Sequence, residues 1–135
     1  MKQPFLTKRV VGARVVAGAG RGNRIGVPTI NLDPNLGDFR EGIYVCRAIL
    51  PDGAYWGVLH FGPRPTFGEK PVTCEIHLFD FAKPEPTPKK LDIEIFDYIR
   101  PVVKFKNVSA MLSAIAKDVE FAKKKIGKYA RLASF

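Results

Sequence analysis

The residues best suited to chemistry lie in two short stretches, Gly18 to Leu32 and Val72 to Phe79. In the first, GAGRGNRIGVPTINL, the glycines Gly18, Gly20, Gly22 and Gly26 remove the Cβ barrier to positive φ and to close ligand approach, as a loop wrapped against something bound requires. Arg21 and Arg24 add guanidinium charges that suit phosphate. Pro28 pushes Val27 out of the α region and offers no N–H to a central ladder, so this loop should not run into a helix. That excludes a Walker A loop, whose Lys-Ser/Thr opens a helix, and a Rossmann glycine motif, which needs a strand before and a helix after. If Pro28 to Leu32 is extended, Thr29 and Asn31 project their oxygens to one side. Such a pair can supply part of a Mg²⁺ shell completed by nucleotide phosphates and water. It can also satisfy turn backbone groups, and spacing alone favours that plainer use.

In the second stretch, Val72, Cys74, Ile76 and Leu78 share one face of a strand, and Thr73, Glu75, His77 and Phe79 share the other. The apolar face suits a barrel interior. The Glu75-x-His77 pair opposite it has two readings, a solvated rim or a functional carboxylate, and the first is the usual one.

Strands and one helix must position these groups. Residues 9 to 17 are β-branched and bounded by glycine, which predicts a first strand. Residues 33 to 41 are rich in turn formers. Gly42 to Leu50 puts Tyr44, Cys46, Ala48 and Leu50 on one apolar face, with Arg47 on the other, and Pro51-Asp52-Gly53 turns it into a return strand, Tyr55 to Gly62. Gly62 to Gly68 is too proline-rich for a ladder and predicts a rigid connection. Pro84, Pro86 and Pro88 stiffen a hairpin tip within Asp80 to Lys90. Leu91, Ile93, Ile95 and Ile99 then alternate against Asp92, Glu94, Phe96 and Tyr98. Leu112, Ile115, Val119, Ala122 and Ile126 recur at helical spacing, with Asn107 placed to cap the start and Gly127 to stop the end. Short strands followed by one helix predict a mainly β barrel with a C-terminal α-helix.

The 135 residues suit a single domain, 1–135. A 46% hydrophobic and 26% charged composition is that of a globular protein, and no signal peptide or long apolar span is apparent, so a cytoplasmic protein without a membrane partner is expected. Cys46 and Cys74 read as buried thiols. The net charge of +9 is compatible with a nucleotide triphosphate. The lysines are dispersed, and the run Lys123-Lys124-Lys125 reads as a solvated helix end.

The order of motifs resembles the riboflavin kinase (flavokinase) family, both the monofunctional kinases and the kinase domain of bifunctional bacterial FAD synthetases. The resemblance rests on Arg14 to Gly22 leading into Ile25-Gly26-Val27-Pro28-Thr29-Ile30-Asn31, then Gly42-Ile43-Tyr44, Arg64-Pro65-Thr66-Phe67, Glu75 to Phe81, Ile99-Arg100-Pro101 and Lys104-Phe105. It implies a six-stranded antiparallel Greek-key barrel and transfer of the γ-phosphate of ATP to the ribityl 5'-hydroxyl of riboflavin, giving FMN. It further implies Glu75 as the catalytic base, Thr29 and Asn31 as ligands of Mg²⁺ or another divalent metal, and Gly18, Gly20, Arg21, Gly22 and Arg24 with Thr29 and Asn31 around the nucleotide. Arg100, Lys104 and Phe105 would border the flavin, the Gly62 to Gly68 loop would border the nucleotide or flavin with no contacting side chain singled out, and His77 would be structural. The chain departs from the family pattern at Ile30, where alanine is usual, at His60-Phe61-Gly62, where Asn-Ile-Gly is usual, and in the 80–90 turn. No adenylyltransferase half accompanies the sequence, so a kinase acting as a monomer on two small molecules, without FAD synthesis, is expected. Two rivals are a catalytically silent flavin or nucleotide sensor, which would not need Glu75, and a basic barrel that binds nucleic acid. The second would interleave exposed aromatics with basic residues, a pattern these strands lack.

Overall fold

The computed structural model of the chain describes residues 9–16, 29–79 and 88–133. The loop carrying Gly18, Gly20, Arg21, Gly22 and Arg24 lies outside the described residues, as does most of the proline-rich hairpin tip. The described strands are β1 (Arg9–Arg14), β2 (Ile30–Leu32), β3 (Gly42–Leu50), β4 (Gly53–Arg64), β5 (Glu69–Leu78) and β6 (Lys90–Arg100), followed by the helix α1 (Val108–Ala133). They form one antiparallel sheet in the order β1-β6-β3-β4-β5-β2. β3, β4 and β5 are consecutive neighbours and β6 returns to lie beside β3, which is the Greek-key arrangement. The sheet curls until its edges meet. There Val15 bridges Leu32, and the Val16 and Asp33 N–H groups donate to the Asn31 and Arg14 carbonyls at 2.9 and 2.8 Å.

Two apolar clusters follow from the two faces of the curled sheet. Tyr44, Cys46, Ala48, Leu50, Leu59, Cys74, Ile76, Leu78, Leu91 and Ile93 belong to the larger one, which fills the barrel. Both cysteines are free there, and burial pushes the Cys74 thiol up to about 12 and the Cys46 thiol higher still. The second cluster joins Ile43, Val45, Val58 and Phe96 on the outer face to Ala122, Val119 and Ile126 of α1. Asn107 caps the helix as expected, its Oδ1 accepting the Ala110 N–H at 2.8 Å.

Four details depart from the sequence expectations. The ladder continues through Gly62-Pro63-Arg64. Pro63 is tolerated because it falls where the β4–β5 register shifts, so its missing N–H interrupts no regular pairing. Val72 lies in that irregular stretch and is 39% exposed, while Cys74, Ile76 and Leu78 point inward. In β6, register shifts opposite Ile43/Tyr44 and Val45/Cys46 insert extra residues, so the alternation changes phase. Tyr98 therefore packs against the interior and Ile99 against the helix side. Finally, Gly127 does not end the helix, which runs on to Ala133 with Gly127 exposed. A lone glycine costs a helix only about 1 kcal/mol relative to alanine, too little to stop it.

Gly42 is required where β3 begins. A Cβ there would lie 2.3 Å from Tyr98 Cε1 and 2.8 Å from the Arg100 carbonyl, so any side chain would force β6 away.

Candidate active site

The strand register sets five residues from five strands in one line across the outer face. Asn31 of β2 opposes Glu75 of β5, Glu75 opposes His60 of β4, His60 opposes Ile43 of β3, and Ile43 opposes Arg100 of β6. Directly opposed residues share a face. The second bulge of β6 is what brings Arg100 into this line. The segment after β6 and the first half of α1 cover the row, and a cavity of about 100 Å³ remains between them. Its lining combines the apolar side chains Ile43, Val58, Val102, Phe105, Met111 and Ile115 with the polar Thr29, His60, Arg64, Glu75, His77, Arg100 and Asp118.

Arg64 is the hub of the polar groups around Glu75. It is 8% exposed, and its Nη2 donates to Glu75 Oε2 at 2.6 Å and to Asn31 Oδ1 at 3.2 Å. Its Nε donates to Thr73 Oγ1 at 3.3 Å, and the Thr73 hydroxyl donates to the Gly62 carbonyl at 3.2 Å. Thr29 Oγ1 lies 3.4 Å from the same Glu75 Oε2. His60 Nε2 faces the Gly62 and Pro63 carbonyls at 3.1 and 3.0 Å. Two acceptors require that this nitrogen carry the proton. Burial pushes the His60 imidazole below its usual range, while nearby Glu75 and the two carbonyls pull the other way.

At the far end of the row, Arg100 grips Asp118 of α1 with one edge of its guanidinium, Nε at 3.0 and 3.2 Å and Nη2 at 2.8 Å. It also lies over the Phe105 ring, 5.4 Å from the centroid. The Phe105 N–H donates to Thr66 Oγ1 at 3.0 Å, which ties the segment after β6 to the Pro65–Phe67 turn. Burial raises the Asp118 carboxyl, and Arg100 opposes that shift.

The structure thus gathers Thr29, Asn31 and Glu75 around Arg64 at one end of the row and Arg100 with Phe105 at the other; Asn31 itself does not line the cavity. Lys104 is exposed and does not line the cavity. His77, expected to be structural, does line it. Sequence reasoning gave Arg64 no role of its own, because its burial depends on pairing with β5, which one strand's sequence does not display. Asp118 left a fainter signal, a carboxylate three residues after Ile115 and four before Ala122 on the apolar stripe of the helix. Among the described residues no cluster of three His, Cys, Asp or Glu side chains could hold a metal, and no helix is long and apolar enough to cross a membrane.

The riboflavin kinase family model matches residues 7–126. The chain belongs to the riboflavin kinase family. Human riboflavin kinase is 30% identical over 120 residues, covering 84% of this chain and 77% of the human protein. The trifunctional protein RibF/MnmA of Mycoplasmoides gallisepticum is 38% identical over 120 residues, 87% of this chain but 18% of that protein, so the chain spans a minor part of that relative. Among solved structures, a chain described as a macrolide-efflux protein from Streptococcus pneumoniae superposes with a TM-score of 0.71 at 27% identity, covering 84% of this chain and 38% of the other.

Proposed function

We propose that this chain phosphorylates riboflavin, transferring the γ-phosphate of ATP to the ribityl 5'-hydroxyl to give FMN and ADP. The observation that carries this reading is Glu75, a carboxylate fixed by Arg64 and Thr29 in the lining of a cavity that Ile43, Val102, Phe105 and Ile115 also line. Phosphoryl transfer needs positioning, charge neutralisation and a group to take the hydroxyl proton. The apolar side chains Ile43, Val102, Phe105 and Ile115 suit the flat ring system, which leaves the polyol chain directed at Glu75. The hydroxyl oxygen forms the new bond to the γ-phosphorus, its proton passes to Glu75, and the β–γ bridging oxygen leaves with ADP.

Thr29 Oγ1 and Asn31 Oδ1 offer only hard oxygen donors, which suit Mg²⁺ held mainly by nucleotide phosphates and water. Bound there, the metal neutralises phosphate charge. The Asn31 carbonyl keeps a second lone pair for this while accepting from Arg64. The Gly18 to Gly26 loop, with Arg21 and Arg24, enters the chain next to Thr29 and is assigned to cover the nucleotide.

The test is incubation with riboflavin, ATP and Mg²⁺, with the product identified by mass. FMN is the expected product. Binding of riboflavin without phosphorylation by any nucleotide triphosphate would replace the kinase with a silent sensor.

A further inference from the structure

Every hydrogen bond that Glu75 makes among the described residues falls on one of its two oxygens. Oε2 takes Arg64 Nη2 at 2.6 Å and faces Thr29 Oγ1 at 3.4 Å, and Oε1 takes none. The guanidinium is itself immobilised. It is buried, Thr73 holds its Nε, and Thr73 is in turn anchored on the Gly62 carbonyl that His60 also holds. A buried Arg–carboxylate contact of this kind is directional, and a lysine could not span Thr73 and Glu75 with one planar fork.

From this chain of contacts we infer that Arg64 is a positioning residue for the base: it saturates Oε2 and turns Oε1 toward the cavity as the oxygen that accepts the substrate proton. The inference rests on the phosphoryl-transfer reading above and names a residue whose effect on the proton transfer runs through Glu75, beside its second bond to Asn31 Oδ1. His60 and Thr73 serve the same end one step further back. They fix the bulge at Gly62-Pro63 from which Arg64 projects. Arg64 needs no contact with riboflavin for this role, so its removal should slow the chemical step while riboflavin binding holds; because Arg64 also holds Asn31 Oδ1, nucleotide affinity is measured separately. A misplacement of about 1 Å at a reacting group can cost on the order of 10²-fold.

The experiment is a double-mutant cycle with γ-labelled ATP, sensitive enough to follow slow variants, and with a melting curve and a Mn²⁺–ADP binding isotherm for each protein. Arg64→Met is expected to lower kcat by about 10- to 100-fold at saturating ATP, within the range for a misplaced group, with KM for riboflavin little changed. In a Glu75→Gln background the same change should alter kcat by less than about threefold, because no base remains to be aimed. Thr73→Val keeps the volume and both charges and guards against loss of the fold. It should show a smaller kcat loss that likewise disappears beside Glu75→Gln. Equal Arg64 penalties in both backgrounds, a loss expressed only in KM for riboflavin, or an unaltered kcat in Thr73→Val would each overturn the inference. An inactive wild-type protein would instead remove the kinase reading itself.

Discussion

Replacing Arg100 with methionine isolates what holds α1 over the cavity. The Asp118 side chain is 5% exposed and its counter-ion 23%, and three contacts between 2.8 and 3.2 Å join them. Removing one partner of a buried pair typically costs 3–5 kcal/mol, since the other charge stays desolvated. Arg100 retains some water contact, so the lower end applies, about 3 kcal/mol. For a chain of this size that lowers Tm by roughly 10 °C. The sign of the pH dependence follows from Asp118. Burial already raises its carboxyl above the ordinary 3.8, and Arg100 supplies both opposing influences. Without Arg100 the folded carboxyl rises further above the unfolded one, so the folded state binds more protons and stability falls as pH climbs through that window. The deficit measured by urea unfolding should therefore shrink between pH 7.5 and pH 5. A second variant, Arg100→Met with Asp118→Leu, removes both charges and should recover most of the loss. A cost below about 1 kcal/mol, in the range of exposed pairs, would refute a buried clamp. A deficit that grows on acidification would refute the sign.

Glu75→Gln should retain the fold and both ligands while losing on the order of 10²- to 10⁴-fold in turnover, measured as FMN formed per enzyme. Turnover near wild type would leave Glu75 as an ordinary polar residue of β5. If Thr29 serves metal and phosphate as proposed, Thr29→Ala should raise the Mg²⁺ concentration needed for nucleotide binding and leave riboflavin binding intact. Calorimetric titration of each ligand checks both halves of that statement. Gly127→Ala should stabilise the chain by up to about 1 kcal/mol, because the helix continues through this exposed position with open space beside it. Destabilisation would show that the glycine serves a bend.

Local chemistry made much of the fold readable. Alternation in Gly42 to Leu50 predicted the inward face of β3, and Asn107 before an apolar stripe predicted the start of α1, because both signals live within a few residues. What was hidden depends on partners. The phase change in β6 is imposed by its pairing with β3, so Ile99 reads as inward until the bulges are known. Arg64 sits among prolines that suggest a surface connection, and only the return of β5 beside it reveals a buried cation. Gly127 misled for the opposite reason, since packing of Val119, Ala122 and Ile126 against the sheet outweighs the weak local preference for a stop.

The line from Asn31 through Glu75, His60 and Ile43 to Arg100 has a consequence for how the protein unfolds. No short length of chain contains it; the line comes into being only when β6 has docked beside β3. A ligand seated across it is therefore bound by the completed barrel and by no partly folded form. At 100 times its Kd, such a ligand adds about 2.7 kcal/mol against unfolding. That increment belongs equally to amides far from the contact, so the slowest-exchanging hydrogens of β3 should slow by about 100-fold on saturation, together with those of β5.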